Sequence, residues 1–259
     1  MATSDGEGAS APPPAEQIGG RLLFPTIAAT PQLDTIEEQM GEALGRLDAR
    51  LAAAGTDRRS LLTVHIWLRD MACFDRMTAV WNAWIGSDAP PSRSCVSGGS
   101  LDPYLVGSLV ELVASAALPV GAGATPPAPI ERYGVVSGAG RPTMCLALAY
   151  EDWFTVCTLA GDGSADIAGQ TAQILDAFDA YLAEAGVDRA DILTIDVWLK
   201  RVADDAVVRG AVEEWLAPAA EWPAAASSCV RADMAREDKL VEIRITATRR
   251  TRPAPAASM

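Results

Sequence analysis

The chain has 259 residues, 49% of them hydrophobic and 21% charged, the profile of a soluble globular protein with one large domain or two of about 110–130 residues. Its 21 basic and 34 acidic residues leave a net charge of −13, a surface that repels phosphate backbones and argues against a nucleic-acid partner. No apolar run approaches the ~20 residues that span a bilayer, and the first residues lack the basic and apolar regions of a signal peptide, so no membrane partner is expected. Five cysteines, odd in number and without CxxC spacing, read as reduced thiols of a cytoplasmic protein. A single histidine, His65, leaves little room for a metal site or a Ser-His-Asp relay and is expected on the less buried face of a strand.

Residues 1–17, rich in Ala, Ser, Gly and Pro, read as a disordered tail. Strand-like sequence follows from Gly20 to Ala29. Asp34-Thr35 then cap a helix, with Glu38 three residues after Thr35 as a capping box. Ile36, Met40, Ala43, Leu44, Leu47 and Leu51 give its apolar stripe, and Gly55 closes it. Leu61–Leu68 reads as a strand, and Phe74, Met77, Trp81 and Trp84 mark one face of a second helix. A strand begins at Pro91-Ser92-Arg93-Ser94-Cys95-Val96, and another at Leu109-Val110-Glu111-Leu112-Val113. Glu is disfavoured inside strands, so Arg93 at the mouth of one and Glu111 inside the next form an unusual pairing.

Residues 118–129, within a run rich in Pro, Gly and Ala, read as a linker between a domain at 18–117 and one at 130–248, with a second tail at 249–259. Past the linker the pattern repeats. Gln39, Asp48, Gly55, Trp67 and Trp84 recur as Gln170, Asp179, Gly186, Trp198 and Trp215, each about 131 positions on, which indicates internal duplication. Ser94-Cys95-Val96 recurs as Ser228-Cys229-Val230 at a slightly longer offset, so the first copy holds three extra residues between its last two strands, within Ser97–Ser108. Glu111 recurs as Glu242. Arg93 does not recur, because Ser227 holds its place, and this asymmetry points to chemistry in the first copy.

The stretches LLTVHIWLRDM, MTAVWNAW, PSRSCV and LVELVASA, with GQTAQILDAFDAYLAEAGVDRADILTIDVWL, SSCV and VEIRITA in the second half, resemble the Rid (YjgF) family of reactive-intermediate deaminases. The resemblance runs from about residue 20 to 248. It implies an α+β fold of two chorismate-mutase-like domains in tandem, each a mixed sheet with two helices on one face. It also implies trimers with ligand clefts between neighbouring domains, and three chains would stack six domains as two rings, the active clefts lying between first-copy domains. Arg93 would grip the carboxylate of a small imino or enamine acid, because a guanidinium matches carboxylate bidentately and keeps its charge when dehydrated. Glu111 would position or activate the hydrolytic water. Cys95, Thr26, Ile27 and Thr78 would line the substrate site.

Some positions depart from the family pattern. Pro25-Thr26-Ile27 and Val156-Cys157-Thr158 replace a Ser-Gly-Gln-like turn, and Thr78 and Arg209 stand where an asparagine is usual. The expected function is hydrolysis or processing of a carboxylate-bearing imine or enamine to a carbonyl compound and ammonia, with no metal or organic cofactor. Two alternatives are a biosynthetic enzyme using the cleft for imine formation, cyclisation or elimination, and a non-catalytic ligand-binding module. Endoribonuclease activity is disfavoured by the net charge.

Overall fold

A computed structural model describes residues 15–98, 107–119, 128–138, 140–217 and 226–249. Most of both tails, the middle of the linker, and most of the segment holding the three-residue insertion lie outside the described residues. The first copy runs β1 (Glu16–Ile18), β2 (Arg21–Ala28), α1 (Ile36–Ala53), β3 (Leu61–Leu68), α2 (Phe74–Ile85), β4 (Ser92–Ser97) and β5 (Val110–Ala117). The second runs β6 (Glu131–Val136), β7 (Met144–Tyr150), β8 (Trp153–Leu159), α3 (Ile167–Ala185), β9 (Ile192–Leu199), α4 (Asp205–Leu216), β10 (Ala226–Arg231) and β11 (Val241–Thr248). Both edges of the expected tails are structured: β1 begins at Glu16, and Arg249 forms an ion pair with Glu131.

Local signals set the helices. Thr35 accepts from the backbone N–H of Glu38, and Glu38 closes the capping box. All six residues of the α1 stripe are buried against the sheet. The chain leaves α1 through Gly55 at φ +76° and α3 through Gly186 at φ +67°, conformations that cost a side chain but not glycine.

The polar residues kept in both copies have matching structural tasks. Gln39 is fully buried, donates to the carbonyl of Leu33 and accepts from the N–H of Leu109. Gln170 accepts from Leu240 in the same way and donates to Asp238. Asp48 holds Arg58 and the indole N–H of Trp84, while Asp179 holds Arg189 and that of Trp215. Duplicated sequence thus gives duplicated scaffolding down to single hydrogen bonds.

All the strands join one mixed sheet in the order β1-β2-β5-β3-β4-β7-β8-β11-β9-β10, with β6 on the side of β7. Each helix pair packs over the strands of its own copy, and the two main cores are separate. The copies meet where β4 runs parallel to β7, Ser92 opposite Cys145. An isolated bridge from Val96 to Met234 and hydrogen bonds between Ser97 and Asp233 continue this seam. The edge of β4 is therefore occupied within one chain. This corrects the expectation of active clefts between first-copy domains of neighbouring chains.

Candidate functional site

Arg93 lies on β4 opposite Val64, so it faces the helices as Val64 does, and it is only 3% exposed. Its guanidinium carbon sits 5.5 Å from the ring centre of Phe74 and 5.3 Å from that of Trp81. Nη2 lies 3.4 Å from both Met77 Sδ and Thr78 Oγ1. Aromatic faces stabilise a cation without neutralising it. Burial alone lowers the pKa of Arg93 from its ordinary value, but a guanidinium stays charged in proteins. Its Nε–H has no partner among the described residues.

Arg93 and Cys95 line a cavity of about 200 Å³ whose other wall belongs to the second copy. Cys157, Thr158 and Leu159 come from β8, and Glu242 comes from β11. Glu242 is 4% exposed and accepts from the Cys157 thiol, Sγ to Oε1 3.3 Å. Burial pushes the Glu242 carboxyl up to about 7, against the opposing pull of the Cys157 hydrogen bond and the charges of Arg244 and Arg93. Burial also drives the Cys95 thiol up to about 12 and the Cys157 thiol well above its usual value. Both are protonated near neutral pH, so neither is poised as a thiolate nucleophile.

The expected pair of Arg93 with Glu111 is not brought together. Glu111 pairs with Trp67 on β3 and Ala28 on β2, three residues along and two strands away from Arg93, with β3 between them. Its neighbours Val110 and Leu112 enter the helix-side core, so strand alternation turns Glu111 to the opposite face. The carboxylate in electrostatic range of Arg93 is its counterpart, Glu242.

Thr26 and Ile27 are likewise displaced from the cavity. Pro25 has no N–H, the β2–β5 ladder is irregular between Phe24 and Ile27, and this leaves Thr26 exposed while Ile27 enters the core. In the second copy the β8–β11 ladder runs unbroken, and Cys157 and Thr158 reach the cavity instead. Thr78 touches Arg93 rather than the cavity and acts as its support.

The site is thus a hybrid, with its cationic half from the first copy and its acidic half from the second. The sequence showed the asymmetry but not the seam: both copies keep the acidic position, as Glu111 and Glu242, only the first copy has the arginine, and β4 is joined to the second copy within one chain. His65 also departs from expectation, since it is 5% exposed. It does face away from the helices, but Trp198 of the second copy stacks on it at 5.0 Å and Arg244 bonds to it and to Ser94. Burial, and then the charge of Arg244, hold its pKa well below 6.5, so the ring is neutral.

The chain is thus a pair of α+β domains with a buried arginine and a buried carboxyl of raised pKa lining one cleft across the seam. The family described as Endoribonuclease L-PSP matches residues 24–118 and 158–249, and the chain belongs to that family as a tandem member of its RutC/YjgF (Rid) group. It is 36% identical over 67 residues to a RutC family protein of Haemophilus influenzae (strain ATCC 51907 / DSM 11121 / KW20 / Rd), covering 26% of this chain and 58% of that one. It is 40% identical over 86 residues to a RutC family protein of Haemophilus ducreyi (strain 35000HP / ATCC 700724), covering 33% and 71%. The match thus spans less than two thirds of the length of the first of these relatives. A crystal structure of a chorismatase is similar over 91% of this chain and 80% of that one, with a TM-score of 0.59 and 19% identity, a likeness of fold. Among the described residues, no helix is long and apolar enough to cross a membrane.

Proposed function

We propose that the cleft hydrolyses a reactive imine or enamine carrying a carboxylate, releasing a carbonyl compound and ammonia. The observation behind this reading is the buried Arg93 and buried Glu242 on opposite walls of one cavity. Family membership supports a role with reactive imines. Arg93 binds the substrate carboxylate through a charge-assisted fork, with Phe74, Trp81 and Thr78 fixing its orientation. Glu242 in its ionised form takes a proton from water as the oxygen attacks the C=N carbon. The protonated carboxyl then returns that proton to nitrogen, giving a carbinolamine. Glu242 next takes the carbinolamine hydroxyl proton and passes it to the amine, so the C–N bond breaks as the carbonyl forms and ammonia leaves. A carboxyl with a pKa of about 7 can serve in both steps near neutral pH.

The test is release of ammonia and keto acid from an imine generated in situ, compared with the rate in buffer alone. No acceleration would leave the binding-module alternative.

The raised pKa of Glu242 also favours a second reading. A protonated carboxyl facing an arginine can donate to a leaving oxygen, as an elimination or a biosynthetic rearrangement requires. The likeness of fold to a chorismatase over 91% of this chain makes chorismate the probe for this reading, and its consumption the readout.

The proposal includes a cytoplasmic setting, supported by five free cysteines, and assembly as a homotrimer, supported by the exposed residues Ser227–Arg231 at the outer end of the sheet.

A further inference from the structure

We infer that the substrate carries two acid groups, with Arg93 taking one at the floor of the cleft and Arg141 taking the other at its rim. This rests on the carboxylate-binding role of Arg93 proposed above and extends it to a second residue of the same cavity. Arg141 lines the cavity from the turn between β6 and β7, a second-copy segment with no described counterpart in the first. It is exposed, and its guanidinium makes no hydrogen bond or ion pair among the described residues.

The turn that presents Arg141 is fixed from across the seam. Asn82 on α2 donates to the carbonyl of Arg141 at 2.8 Å and accepts from the N–H of Thr143 at 2.7 Å. Trp81 donates from its indole to the carbonyl of Thr143 at 2.8 Å, and Pro142 stiffens the step between. Trp81 also lies against Arg93, so one helix turn supports both cationic groups. The backbone of the second arginine is held while its charged end is left for a ligand. Val136, Met144 and Leu146 supply apolar wall, which suits a compact carbon frame with an acid at either end. The chain as a whole carries a charge of −13, a field that repels dianions, so two guanidinium groups at one cavity are a local reversal of it.

Calorimetric titration of the full chain tests the inference, using 2-oxobutyrate as monoacid and 2-oxoglutarate, 2-oxoadipate and 2-oxopimelate as diacids of increasing length. At least one diacid should bind about tenfold tighter than the monoacid, as one added charged contact implies. Arg141→Gln should erase that advantage and leave 2-oxobutyrate unchanged. Arg201→Gln, which removes a surface charge paired with Asp204, should leave the advantage intact. Arg93→Gln should weaken every ligand. If the monoacid binds through Arg93 but no diacid binds tighter, or Arg141→Gln shifts mono- and diacids equally, the diacid inference alone is overturned. If no ligand binds, or Arg93→Gln changes nothing, the carboxylate-binding reading falls and this inference with it.

Discussion

Replacing Glu242 by Gln should change how stability depends on pH in a way that ordinary surface carboxylates cannot imitate. The folded chain holds this carboxyl at about 7, whereas an unfolded Glu titrates near 4.3. Between those values the folded state keeps a proton that the unfolded state has lost, so the contribution of Glu242 falls as pH rises through the window. At 1.36 kcal/mol per pKa unit the loss comes to about 3.5 kcal/mol by pH 8, of which about 3 kcal/mol falls between pH 4.5 and 8. Gln keeps the shape and an oxygen to accept from the Cys157 thiol, but it cannot ionise. His65 acts in the opposite sense. Its depressed pKa makes stability fall as pH drops below the ordinary imidazole value, by at most about 1.36 kcal/mol per pH unit. The two trends partly cancel in the wild-type chain between roughly pH 4.5 and 6.5, and Glu242→Gln exposes the histidine slope alone. Denaturant unfolding at half-unit steps from pH 4.5 to 8 reads this directly. The variant should gain stability over the wild type by about 3 kcal/mol between the ends of that range. A constant difference across the range would show that Glu242 ionises normally and would remove the basis for its acid–base role.

Three other expectations follow from the same geometry. The single imidazole should show no protonation in a proton NMR titration until well below pH 6.5, and an ordinary midpoint near 6.5 would mean that Trp198 and Arg244 do not enclose His65. Gln39→Leu and Gln170→Leu should each cost about 1–3 kcal/mol in denaturant unfolding, because each strands the partly buried N–H of a strand-leading residue, and a neutral result at either would deny the duplicated bracket. Light scattering at several concentrations should give a mass near three times 27.2 kDa, and a persistent monomer or dimer rules out the trimer.

The elements were legible wherever local rules act alone. The capping box at Thr35 and Glu38, the α1 stripe and the glycine exits were all set by residues within a few positions of one another. The duplication was legible too, because scaffold residues such as Gln39 and Asp48 make matching bonds within each copy, at the same sequence separations. Partnership across the seam was not legible. Arg93 and Glu111 stand close in sequence, but β3 inserts between their strands and strand alternation turns them to opposite faces. Arg93 and Glu242 are far apart in sequence and meet only because β4 docks on β7. His65 was misplaced for the same reason, since the residues that bury it come from the other copy. A strand pattern reports which face a side chain takes, but not what later covers that face.

The central claim is that one cleft is built from two copies, Arg93 from the first and Glu242 from the second. Turnover of one imine generated in situ, followed as ammonia released by Arg93→Ala, Glu242→Gln, Glu111→Gln and Ser227→Ala side by side, tests it most directly, with thermal melting as the folding control. Arg93→Ala and Glu242→Gln should each lower kcat/KM by about a hundredfold or more, while Glu111→Gln and Ser227→Ala stay near the wild type. A large loss at Glu111 with little at Glu242 would return the chemistry to a single copy and contradict the hybrid cleft.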